Sequence, residues 1–275
     1  MKLIVMYRAV WMGFLLVAAS AATLAQSKYE AVFETYRRTL DVQALDEGVS
    51  EAHRKVTHFD EDVRYLASVL EPGGFDETAQ EAARQELDAI AYSVIAYSGS
   101  ASIQDYFRPA MEAFQKHMPE ASADTESKWA RSLVSLTAVV GLQPNPPMVG
   151  LIYRMLDGKN KMLGNIALLA LARIKPLPPD ANKILLTRGA GLDPKGRLEM
   201  WAFALDDPDV REAFLKYLDS ENVEDQRLAT LVLSQIQTPA LPILGHLVQL
   251  RSRKDLDAQV AANLDRALAH KAPVQ

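Results

Sequence analysis

The stretch "NIALLALARIKPLPP" at 165–179 returns, in pattern, as "RLATLVLSQIQTPALP" at 227–242, 62 residues further on. Both set alanines and leucines at helical spacing, close on an isoleucine and run into prolines. Counting back three, four and seven residues from Ile174 reaches Leu171, Ala170 and Ala167, one face of a helix. The same offsets from Ile236 reach Leu233, Val232 and Ala229, and from Leu205 they reach Ala202, Trp201 and Leu198. Leu142 has Val139, Ala138 and Ser135 behind it, and Leu268 has Asp265, Leu264 and Ala261. These five anchors are spaced 32, 31, 31 and 32 residues apart. Each is followed by a proline, at 144, 176, 208, 239 and 273, which predicts a helix stop.

About 31 residues hold two short helices and their turns. "MVGLIYRMLDGKNKMLGNIALLALARI" reads as a first helix ending near Asp157, a polar turn and a second helix. "VREAFLKYLDSENVEDQRLATLVLSQI" repeats this with Asp219 in the matching place. A helix pair this small cannot bury its own apolar stripe, but stacked pairs can, which is the logic of a solenoid. Asp265, on the otherwise apolar face of the last unit, suits an end that faces water. Trp129 and Trp201 fall on repeat helices and are expected in the core.

Strand signals are nearly absent upstream as well. "KYEAVFETYRRTLDVQAL" places Tyr29, Val32, Phe33 and Tyr36 on one helical face. Pro72, Gly73 and Gly74 must interrupt helix, with Asp76 a candidate N-cap for the next one. "SGS" at 98–100 is a second break. The expected organisation is an export signal at 1–25, a helical N-terminal region at 26–99 and a repeat region at 100–275.

The export signal rests on the opening "MKLIVMYRAVWMGFLLVAASAATLAQS". Lys2 and Arg8 are followed by an apolar run to about Ala22, then by small residues at Thr23 and Ala25. The run after Arg8 is shorter than the ~20 residues of a spanning helix. Cleavage is therefore expected after Ala25, giving a periplasmic or secreted protein with no transmembrane segment. Losing Lys2 and Arg8 takes the net charge from −5 to −7.

That charge gives a nucleic-acid partner no electrostatic help. It is uneven: residues 26–100 carry 15 acids and 7 bases, whereas the remainder carries 20 and 21. With no cysteine, disulfides, thiol catalysis and cysteine zinc sites are excluded. His53, His58, Asp60 and Asp62 have the side chains of a metal site, but five-residue spacing turns the two histidines about 140° apart on a helix. No Gly-x-Ser-x-Gly surrounds Ser98, and "TRGAGLDPKG" at 187–196 lacks the Gly-Lys-Ser/Thr ending of a phosphate loop. The pairs Asp206–Asp207 and Glu61–Asp62 are sequence neighbours, so they do not face each other as an acid and base would. His117, His246 and His270 are scattered. The sequence therefore names no catalytic residue, no metal ligand set and no cofactor.

"ALLALARI" at 167–174 and "ATLVLSQI" at 229–236, each preceded by an aspartate at 157 or 219, resemble the HEAT-repeat family, whose second helix commonly reads Ala-x-x-Ala-Leu-Gly-x-Ile. The resemblance covers about 120–275. It implies an all-α, right-handed α-solenoid of helix pairs, here preceded by a helical N-terminal region. It also implies a non-catalytic binding or scaffold role toward other macromolecules, usually proteins. Nine residues before the anchors lie Leu133, Asn165, Gly196, Arg227 and Gln259, the row expected to line the groove. Of these, Asn165, Arg227 and Gln259 are the candidate partner-binding residues. The expected partner is another protein of a bacterial cell envelope. Two other readings are an inhibitor or immunity protein using the acidic N-terminal region, and a metal-dependent hydrolase using His53 and His58.

Overall fold

The computed structural model describes residues 27–54, 59–93, 101–141, 145–236 and 241–269. Among them the protein forms fifteen α-helices and one short 3-10 turn, with no strand. The leader at 1–25, the anchor Leu142, residues 98–100, His58 and His270 lie outside the described residues. The chain divides into two compact units, Met1–Glu86 and Leu87–Gln275.

In the first unit α1 (Lys28–Thr39) packs on α2 (Val42–His53) and on α3 (Phe59–Val69). The face expected from the sequence is the one buried: Tyr29, Phe33 and Tyr36 point into the core, with Val32 beside them half-buried. Gly48 on α2 lets the two helices close, because a Cβ there would come within 2.6 Å of Val32 Cγ1. Between them Leu40 takes a left-handed conformation (φ 55°), and Asp41 caps α2 by accepting from the Ala44 N–H at 3.0 Å. Asp76 caps α4 (Glu77–Ser93) by accepting from Ala79, and its other oxygen accepts the Tyr36 hydroxyl at 2.8 Å.

The second unit opens with α5 (Ala101–Gln115), α6 (Met118–Ala123) and α7 (Lys128–Val140). Helix pairs follow: α8 (Pro146–Asp157) with α9 (Lys161–Arg173), α10 (Ala181–Gly189) with α11 (Pro194–Ala202), α12 (Pro208–Leu218) with α13 (Val223–Gln235), and α14 (Leu244–Arg251) with α15 (Ala258–Ala269). Each second helix also packs on the next second helix, in the order α7, α9, α11, α13, α15. This stacking of consecutive pairs is an all-α helical-repeat arrangement.

The anchors explain the stacking. Ile174 and Ile236 each sit one residue beyond their helix in extended conformation, and both are buried. Leu205 is buried too, whereas Leu268, at the end of the row, is partly exposed. Side-chain N-caps start the helices: Ser127, Asn145, Asn160, Asp193, Asp207 and Asn222 each accept from a first-turn N–H. Pro208 does more than stop the preceding unit. It is the first residue of α12, where a fixed φ and a missing N–H cost nothing. Trp129 and Trp201 are both in the core, and the Trp201 indole donates to the Leu185 carbonyl at 3.2 Å.

The first helices are joined by polar contacts. Arg188 on α10 donates to Asp157 at 2.6 Å and to the Leu156 carbonyl. Asn182 on α10 donates to Asp209 on α12 at 2.8 Å, and His246 on α14 meets Asp219 at 2.9 Å. The aspartates that close α8 and α12 thus each receive a basic side chain from the following pair.

Candidate functional site: a groove across three second helices

Helices α9 and α13 are both 13 residues long and start 62 residues apart, but α11 between them has only nine. At 1.5 Å per residue it is about 6 Å shorter. A groove of about 550 Å³ lies over this middle helix. Its floor is apolar: Leu169 from α9, Met200 and Phe203 from α11 and its exit, Ile236 from the end of α13, and Leu192 at one side. Its rim is polar, formed by Asn165, Asp193, Glu199 and Gln235. Gly196 belongs to the lining, and a Cβ there would press on the Asp193 carboxylate at 3.1 Å. Asp193 is already committed as the α11 N-cap, and Glu199 lies 3.5 Å from Lys195. Asn165 and Gln235 are exposed, so their amides present both donors and acceptors to an occupant.

The floor is held from behind. Arg173, the last residue of α9, is buried with its guanidinium 4.4 Å from the centre of the Phe203 ring. It donates to the Val139 carbonyl at 2.9 Å, tying α9 to α7. Burial lowers its pKa to about 10, so it remains charged at neutral pH. Gly141 (φ +75°) passes so close that a Cβ would stand 2.8 Å from the Arg173 carbonyl oxygen.

No protein-family model matches this chain, and no curated protein does. Among solved structures the chain is similar to the crystal structure of an engineered protein from a structural genomics consortium. The two share 19% identity over 88% of this chain and 96% of that one, with a TM-score of 0.36, at which the likeness carries no argument.

The row nine residues before the anchors has no single role. Leu133 is fully buried because α5, α6, α8 and α9 all pack around α7. Asn165 and Gly196 line the groove. Arg227 grips Asp257 with two donors at 3.0 and 2.8 Å and reaches Glu224 at 2.6 Å. Asp257 also accepts the N–H groups of Gln259 and Val260 at the start of α15, and this set, with Arg227 foremost, holds its pKa down to about 2. Arg227 therefore joins α13 to α15. Gln259 is exposed, with its amide on Asn263 at 3.0 Å.

Of the four residues with metal-site chemistry, the three that are described, His53, Asp60 and Asp62, diverge in the first unit. His53 Nδ1 lies 2.7 Å from Glu86, whose carboxylate also accepts the Tyr29 hydroxyl. Burial, and then Glu86, raise the Tyr29 pKa well above its ordinary value. Asp60 pairs with Arg64 at 2.8 Å, while Asp62 turns inward and accepts the Ser27 hydroxyl at 2.8 Å. Among the described residues no three histidines or carboxylates form a group suited to a metal ion. Sequence reasoning missed Gln235, Phe203 and Glu199 at the groove. No local signal marks them, since "EMWAFALDD" keeps its apolar pattern past the point where α11 ends.

Proposed function

We propose that this is an exported, non-catalytic helical-repeat protein of a bacterial cell envelope. Residues 1–25 are its signal peptide, cleaved after Ala25, and the mature chain works in the periplasm or outside the cell. Its repeat region is a right-handed HEAT-like solenoid that binds a protein partner. The observation that carries the binding role is the groove at α11, an apolar floor with amide-bearing walls, suited to an apolar side chain presented by an exposed peptide group. The export role is supported by the basic, apolar and small-residue order of the leader. Among the described residues no helix is long and apolar enough to cross a membrane.

The test is photocrosslinking in living cells from a reactive residue at 165, with a control at Lys216 on α12. One exported protein captured from 165 but not from 216, and lost when Leu169→Asp is added, supports the reading. Equal capture from both positions, or capture indifferent to Leu169→Asp, overturns the groove as the binding surface.

A further inference from the structure

Among the described residues, the groove at α11 is lined by two ionisable side chains, Asp193 and Glu199, and both are acids. Residues 237–240, which follow Ile236, read Gln-Thr-Pro-Ala and add no charge. The strip of α11 that meets the groove runs Asp193, Gly196, Glu199, Met200 and Phe203, at offsets of three and four residues along one helical face. It is acidic where the helix starts and apolar where it ends. Lys195 stands 3.5 Å from Glu199, so the acids still outnumber the cation there. An anion finds no donor at that start. Pro194 has no N–H, the Lys195 and Gly196 N–H groups each donate to Asp193 Oδ1 at 3.1 Å, and the Arg197 N–H donates to the Asp193 carbonyl at 3.0 Å. Asp193 Oδ2 has no partner among the described residues, and glycine at 196 keeps it uncovered, since a Cβ there would stand 3.1 Å away. At the other end of the strip Arg173 lies charged beneath Phe203, which disfavours a second cation there.

We propose that the partner segment seated in this groove carries a lysine or arginine close to an apolar residue. Its cation meets Asp193 and Glu199, and its apolar side chain rests on Met200, Phe203 and Ile236. Seven residues separate Asp193 from Met200, about 10 Å along the axis of α11. An extended peptide covers that length in about three residues, so a basic residue roughly two to four positions from the apolar one fits. The reverse order would bring the cation toward Arg173 and cover the two carboxylates with an apolar group, so charge and desolvation both fix the direction. This rests on the binding role proposed for the groove above and adds the charge of its occupant.

The test selects short random peptides, displayed on phage, on the purified exported protein. Clones that bind the native chain but neither Leu169→Asp nor Asn165→Trp, which blocks the exposed rim, are the groove's ligands. They are expected to be rich in lysine or arginine near leucine, isoleucine, methionine or phenylalanine. The most enriched sequence, made as a synthetic peptide, is then titrated against Asp193→Asn/Glu199→Gln. Asparagine still caps a helix, so this variant loses both charges and keeps the start of α11. Affinity is expected to fall about tenfold in it, and to weaken with added salt in the native chain. Glu212→Gln/Glu221→Gln removes two exposed acids outside the groove and is expected to change affinity less than about twofold. Groove ligands without a basic residue, or an affinity indifferent to the loss of Asp193 and Glu199 charge, overturn the pairing and leave the groove as a binding surface. A selection in which every clone binds Leu169→Asp and Asn165→Trp as well as the native chain, or which enriches no clone, overturns the binding role and the pairing with it.

Discussion

Helices α9 and α13 have the same length, asparagine caps in the same place and anchors at the same exit, yet they do different work. The last residue of α9, Arg173, is buried beneath Phe203, whereas its counterpart Gln235 is exposed on the groove. Asn165 on α9 faces the groove, while its counterpart Arg227 is bound to Asp257. The repeat specifies where the backbone goes. What stacks on each helix decides whether a given position is core, joint or surface.

Shared positions should respond alike. Leu171→Ala and Leu233→Ala, both in the buried face, are each expected to cost about 3 kcal/mol in urea unfolding. A difference between them much above 1 kcal/mol would break the equivalence of the two helices. Divergent positions should not respond alike. Arg173→Met leaves the buried Val139 carbonyl without its donor and is expected to cost about 2 kcal/mol, against less than about 0.5 kcal/mol for Gln235→Met. Equal costs would mean that burial at 173 contributes nothing special.

The shared half of this comparison was legible from residues. Ile174 and Ile236 stand out because a 3.6-residue period repeats the same apolar face wherever a helix repeats. The caps at Asn160 and Asn222 follow from local chemistry, in which an amide oxygen takes up a free first-turn N–H. The divergent half was not legible. Arg227 has its partner 30 residues away, and nothing in the intervening chain signals that Asp257 comes beside it. α11 stops at Ala202 although Phe203, Ala204 and Leu205 remain apolar and buried, so pattern alone carries the helix too far. Pro208 illustrates the same limit, since a proline that ends one unit can also begin the next helix.

Smaller effects sharpen the contrast at the row that was expected to bind. Arg227→Met should lower the urea midpoint slightly, and less at high salt than at low, because its ion pairs are partly exposed. Asn165→Met should leave the midpoint unchanged and act on partner capture alone. The smallest effect is with pH. Asp257 is held below the ordinary carboxylate range, so its ionised form favours the folded state. That contribution is complete above about pH 4 and fades as the pH falls toward 2. Stability profiles of native protein and Asp257→Asn should differ above that window and converge below it; parallel curves throughout would dissociate Asp257 from acid sensitivity.

The contacts along the first helices have a mechanical consequence. Arg188–Asp157 is a partly exposed ion pair and His246–Asp219 a partly exposed hydrogen bond, whereas α7, α9 and α11 bury mostly apolar side chains where they stack. Ionic strength screens the first kind of joint and leaves the second almost untouched. One flank of the stack is therefore compliant and the other stiff, like a leaf spring bonded along one edge. Load or salt would splay successive pairs at the charged flank long before it parted the apolar one.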